Sequence, residues 1–141
     1  MLGDVLLITE KHLNAAKEIV KEVLANKKDK YIIAISGESG SGKSELAHAV
    51  AKELKNYKIT AKPLHIDNYY RILPLERTQW RKDNGIETVV GLGEYDWDTI
   101  YRNVEEFKSG SKSIGPCVDL VTEQVDQLTT DYSVVDMLII D

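Results

Sequence analysis

Apolar residues recur at three- and four-residue steps over residues 10–26 (Leu13, Ala16, Ile19, Val20, Val23, Leu24), with lysines and glutamates between them. That is the period of an amphipathic helix. Thr9 is placed to cap its start, and Asn26-Lys27-Lys28 suits its C-terminal end. The pattern then changes. Tyr31 to Ile35 is a short, nearly continuous apolar run that predicts a strand buried on both faces. A glycine- and serine-rich stretch follows, and Leu46, Ala47, Val50 and Leu54 then mark a second helix. Residues 59–66 predict a second strand with Asp67 at its carboxyl end. Residues 68–94 are polar and mixed, interrupted by Pro74 and Gly85, and predict a loop with one short helix over 76–82. Trp97, Ile100, Tyr101, Val104 and Phe107 share the core face of a third helix, between Asp96 as N-cap and Gly110 as terminator. Residues 117–122 and 124–130 predict two short strands, and residues 134–140 a last apolar strand that ends at Asp141.

Strands alternating with helices point to an α/β fold with a parallel sheet. The 141 residues suit one domain. Residues 30–141 would form its core and residues 1–29 a strand-and-helix extension. The extension is expected to pack on the sheet, with a contact between copies as the alternative, so a homo-oligomer stays open. No apolar run approaches the roughly 18 residues of a membrane span. The start, MLGDVLLITEKH, lacks the basic head and long apolar core of a signal peptide. Cys117 is the single cysteine and cannot form an internal disulfide. A reducing, cytoplasmic setting is therefore expected. A net charge of −5 argues against a general nucleic-acid binder. From Ser113 onward there are acids (Asp119, Glu123, Asp126, Asp131, Asp136, Asp141) and no bases. Either this is a solvated acidic surface, or its balancing cations lie beyond the chain.

The strongest chemical signal is Gly37-Glu38-Ser39-Gly40-Ser41-Gly42-Lys43-Ser44, which fits G-x-x-x-x-G-K-[S/T] between a strand and a helix. Its glycines let backbone N–H groups turn inward around phosphate oxygens, and the following helix adds its positive N-terminal end. Lys43 is expected to reach the β- and γ-phosphates, and the Ser44 hydroxyl to ligate Mg²⁺. A dinucleotide-binding turn requires G-x-G-x-x-G, which the spacing of Gly37, Gly40 and Gly42 does not give. The strand ending in Asp141 has the form of the second nucleotide-binding motif, whose carboxylate helps hold Mg²⁺. Asp67, also at a strand end, is a candidate base for an acceptor hydroxyl, with a turn cap as its plain alternative. His65 reads as an ordinary strand residue. Arg71, Arg77 and Arg81 are candidate contacts for phosphate or acceptor, or simply surface arginines.

The run Ile33 to Ser44, then Asp67-Asn68-Tyr69-Tyr70, Pro116-Cys117-Val118-Asp119 and Met137 to Asp141 resemble the uridine kinase and phosphoribulokinase branch of P-loop kinases, in the same order. The resemblance covers residues 31–141, the N-terminal portion of a family member. It implies a three-layer P-loop NTPase-type domain that uses ATP and Mg²⁺ to phosphorylate a hydroxyl, commonly the 5′-hydroxyl of a nucleoside. Asp67 would then be the base. Glu94 to Asp98 is similar to the family's acidic-aromatic stretch near the ribose. Val118 stands where uridine kinases carry a tyrosine against the base. The resemblance also places the Asp141 strand between the first two, and adds further strands and an arginine-bearing lid later in the chain. The 141 residues are therefore expected to be an incomplete catalytic unit. The expected activity is a small-molecule kinase acting on ATP and a hydroxyl-bearing substrate. The rival is a nucleotide-binding sensor without transfer. A GTP switch would need an N-K-x-D segment, and the chain has none.

Overall fold

Three short parallel strands carry the architecture. The computed structural model describes residues 1–141, and in it β1 (Tyr31–Ala34), β2 (Ala61–Leu64) and β5 (Met137–Ile140) form one sheet in the order β1-β5-β2. The last strand is thus inserted between the first two, with Ile140 opposite both Ala34 and Leu64. Alternation along β5 splits the core in two. Met137 and Ile139 join α1 (Glu10–Asn26) and α2 (Lys43–Lys55) on one face, where Ala16, Val20, Val50 and Leu54 are buried. Leu138 faces the other side, against Leu64 and the Ile100 and Phe107 side chains of α5 (Trp97–Ser109). The result is a three-layer α/β domain, as the sequence predicts.

Local chemistry sets the element ends. Asp96 accepts from the Thr99 N–H at 3.1 Å and from its hydroxyl at 2.7 Å, starting α5, and Gly110 ends that helix at φ +67°. Beyond α5 a second sheet forms, the antiparallel hairpin of β3 (Lys112–Asp119) and β4 (Gln124–Asp131). It closes onto the domain where Gly115 meets α5. A Cβ on Gly115 would come within 2.9 Å of Asn103 Oδ1 and 3.1 Å of the Tyr69 hydroxyl, so only glycine allows this approach. Those two groups are themselves hydrogen-bonded at 2.9 Å, and Asn103 Nδ2 donates to Ser113 Oγ at 2.8 Å.

Several expectations are corrected. Residues 68–94 are more ordered than a loop with one short helix: α3 runs over Pro74–Asn84, α4 over Ile86–Val89, and short 3₁₀ turns cover Ile66–Tyr69 and Leu92–Glu94. No α3 residue is buried, so the apolar periodicity that marks a helix in sequence is weak there. Strand β2 is shorter than 59–66 and β5 shorter than 134–140, because 3₁₀ turns take up Ile66 and Tyr132–Val134. The hairpin strand begins at Lys112 rather than Cys117. Residues 1–9 form no strand, only an isolated bridge between Leu2 and Asp119. Strand β1 lies at the sheet edge and is half-buried rather than buried on both faces. Tyr101 points to solvent at 64% exposure, and Asn103 takes the core position instead.

Since Leu138 is fully buried in the central strand, Leu138→Ala should cost about 2–5 kcal/mol. Urea unfolding of the variant and the parent measures the difference.

Candidate active site

The phosphate-loop residues form the turn that their sequence requires. Gly40 and Gly42 sit at φ +75° and +84°, a region that side chains with a Cβ rarely enter. The Glu38 carbonyl accepts from the Ser41 N–H at 3.2 Å and from Lys43 Nζ at 2.8 Å, so the lysine is folded along its own loop. Helix α2 begins at Lys43, and its first N–H groups have no partner within the helix. Gly37, Glu38, Ser39, Gly40 and Ser41 are exposed. Exposed glycine- and serine-rich backbone leading into a helix N-terminus with unpaired N–H groups is an arrangement that suits an anion.

Asp141 follows β5 directly, and the ladder continues past the strands to fix it. Its N–H donates to the Leu64 carbonyl at 3.3 Å, and its carbonyl accepts from the Ile66 N–H at 2.9 Å. One carboxylate oxygen, Oδ1, accepts from His65 Nδ1 at 2.7 Å, whereas the buried Oδ2 has no protein partner. Burial pushes this carboxyl up, but the His65 hydrogen bond and charge, with smaller contributions from Ser44 and His48, hold it below the usual carboxylate range. The side chain is therefore an anion with one oxygen unclaimed, beside the Ser44 hydroxyl. Two hard oxygen donors suit Mg²⁺, which usually takes few protein ligands and completes its shell with phosphates and water. The residues fit the ion.

His65 is a correction: the sequence reads it as an ordinary strand residue, yet it orients the carboxylate. Its ring stacks on His48 with centroids 5.2 Å apart and planes 10° from parallel. His48 in turn donates from Nδ1 to the Ser44 carbonyl at 2.9 Å. The four-residue step from Ser44 to His48 was the available signal, since it puts both on one helix face. Nothing in the sequence brings His65 to Asp141 without the strand order.

Asp67 is the exposed residue of the 3₁₀ turn after β2, two residues past His65, in a turn whose Asn68 and Tyr69 are buried. It does not line the cavity of about 240 Å³ between β2, that turn and the hairpin, where His48, His65, Asn68, Tyr69, Asn103 and Pro116 meet. Asp67 lies instead on the side of Tyr70 and Tyr95, whose hydroxyls are 3.0 Å apart. Burial chiefly, then the Tyr70 hydrogen bond and the Tyr70 and Asp67 charges, push the Tyr95 phenol up, so it stays protonated. Val118 is buried at the hairpin, with its N–H donating to Asn68 Oδ1 at 3.0 Å.

The three arginines separate by partner. Arg81 grips Glu94 with two bonds of 2.6 and 3.0 Å. Arg71 donates from Nε to the Tyr95 carbonyl at 2.9 Å. Arg77 stacks on the Tyr70 ring at 3.6 Å and has no carboxylate partner, while its buried Nε–H has no acceptor. Glu94, in the stretch expected near the ribose, is 3% exposed and is engaged by Arg81.

A model of the phosphoribulokinase / uridine kinase family matches residues 32–141. The chain belongs to that family. Curated uridine kinases from Staphylococcus aureus strains JH9 and Newman are 26% identical over 111 residues, covering 78% of this chain. This chain spans about half the length of those relatives, 51%. A solved structure described as a possible uridine kinase from Bacillus stearothermophilus superposes with a TM-score of 0.72 at 22% identity, over 90% of this chain and 68% of that one. The D-glycerate 3-kinase from Cryptococcus neoformans gives a TM-score of 0.60 at 14% identity, over 92% and 51%. These neighbours show the same fold. No helix is long and apolar enough to cross a membrane.

The Arg81 hydrogen bond holds the Glu94 carboxyl below its ordinary range, against the opposing effect of burial. A depressed folded-state pKa gives stability that is complete above the unfolded value, about 4.3 for glutamate, and lost as pH falls through the folded value. Glu94→Gln should therefore lower Tm at pH 7 and flatten the loss of stability on acidification. Tm measured for parent and variant between pH 3 and 7 checks both.

Proposed function

We propose that this chain is the nucleotide-binding portion of an ATP-dependent kinase that transfers the γ-phosphoryl group to a hydroxyl of a small molecule. A nucleoside is the leading candidate acceptor. The observation that carries the reading is Asp141: an ionised carboxylate at the end of the central strand, fixed by His65 and keeping one oxygen free beside Ser44 at the phosphate loop. A turn that merely decorated the surface would have no reason to bury a charge there, since an unpaired buried charge is costly.

In this reading the amides from Gly37 to Ser44 bind the phosphates, and Lys43 leaves the Glu38 carbonyl to reach the β- and γ-oxygens. Ser44 and Asp141 would hold Mg²⁺, which when bound offsets phosphate charge. Asp67 orients the acceptor hydroxyl and takes its proton. The acceptor oxygen then bonds to the γ-phosphorus as the bond to the bridging oxygen breaks, and ADP leaves with that electron pair. Phosphoryl transfer needs chiefly alignment and charge stabilisation, so a rigid loop and a few placed groups supply much of it. The 26% identity to uridine kinases supports the reaction class more than the substrate, and Val118 in place of a tyrosine favours an acceptor other than uridine.

Incubation with ATP, Mg²⁺ and a panel of nucleosides and sugars, following ADP, tests the proposal. Release that depends on one acceptor supports the kinase. Tight ATP binding with no release under any acceptor supports a sensor instead. With the responsive acceptor, Asp67→Asn should lower the rate by about 10²-fold or more with ATP affinity little changed. Lys43→Ala should weaken ATP binding and turnover together. Full activity in Asp67→Asn would show that another group takes the proton.

A further inference from the structure

Helix α1 lies outside the residues that the family model matches, yet its first turn reaches the phosphate loop. The contact is His12. Its Nδ1 is 3.1 Å from the Thr9 backbone nitrogen and 3.1 Å from the Thr9 hydroxyl. A backbone N–H can only donate, so Nδ1 is the acceptor and carries no proton. The neutral ring then bears its proton on Nε2. That atom lies 2.8 Å from the point that a Cβ on Gly42 would occupy. No protein group accepts a hydrogen bond from it. The nearest carboxylate oxygen to the same point, Glu45 Oε2, is 3.8 Å from it and is not bonded to the ring.

The capping bond therefore does two things. It starts α1, in the role that glutamate or glutamine usually plays at this position. It also fixes the tautomer so that a free N–H lies beside the glycine before Lys43. Amides of this part of a phosphate loop face the α- and β-phosphates. We propose that His12 contacts the bound nucleotide, donating Nε2–H to an α- or β-phosphate oxygen. This inference rests on the proposed nucleotide site. It adds a donor from a segment outside the loop, and it gives the absence of a side chain at Gly42 a second reason besides its φ of +84°.

Calorimetric titration of ADP with Mg²⁺ into the parent chain, His12→Ala, His12→Gln and Lys43→Ala tests it, with Tm measured for each. A hydrogen bond to a charged phosphate implies about tenfold or more weaker ADP binding in His12→Ala. His12→Gln keeps the capping acceptor and should keep Tm near the parent value while also losing ADP affinity. Adenosine, which has no phosphate, should compete equally in all variants. Unchanged ADP affinity in both His12 variants, with affinity lost in Lys43→Ala, overturns the His12 assignment alone. A fall in Tm without a fall in ADP affinity marks His12 as a staple between α1 and α2 and overturns it too. Tighter ADP binding in His12→Ala would make the ring an obstacle to nucleotide, which also contradicts the proposal. A parent chain that binds no ADP overturns both this inference and the nucleotide site beneath it.

Discussion

The insertion of β5 between β1 and β2 is the constraint on which the rest depends. Parallel pairing on both sides fixes the register, and the bonds from the Ile35 N–H to the Ile140 carbonyl at 2.8 Å and from the Ile66 N–H to the Asp141 carbonyl at 2.9 Å carry it past the strand end. Because side chains alternate, a shift of one residue would exchange Leu138 with Met137 and Ile139 between the two cores. The same shift would move Asp141 away from His65 and Ser44. Burial therefore enforces the site: the apolar residues that demand one register also deliver one carboxylate to the phosphate loop.

A second consequence is that charge near the site is sorted by partner rather than by number. Asp141 is held ionised by His65 while its other oxygen stays free, and Arg81 is neutralised by Glu94. Arg77 lies over the Tyr70 ring instead. Groups already paired serve the fold. The Asp141 oxygen left unpaired is the one that a charged ligand would meet.

Much of this was legible in the sequence because its cause is local. The phosphate loop is specified by glycines whose backbone angles few other residues adopt, and α5 by a capping aspartate, an apolar stripe and a terminal glycine. The strand order followed from the family resemblance, and the core-facing residues from periodicity. What escaped was non-local or weakly patterned. Helix α3 buries no residue, so nothing in its spacing announces its full length. His65 gains its role only when residue 141 arrives beside residue 65, and His12 meets Gly42 only through the folded arrangement. Tyr101 sits on the predicted core face, but the hairpin packs against Asn103, and the satisfied amide takes the buried place.

The central claim is that β5 delivers the Asp141 carboxylate to the metal side of a nucleotide held by the loop. ATP affinity measured by titration with Mg²⁺ and with EDTA, for the parent and for Asp141→Asn, tests it most directly. The account predicts that Mg²⁺ strengthens ATP binding in the parent and that this gain shrinks by about tenfold or more in the variant, with metal-free affinity nearly equal. An equal gain from Mg²⁺ in both proteins would contradict it.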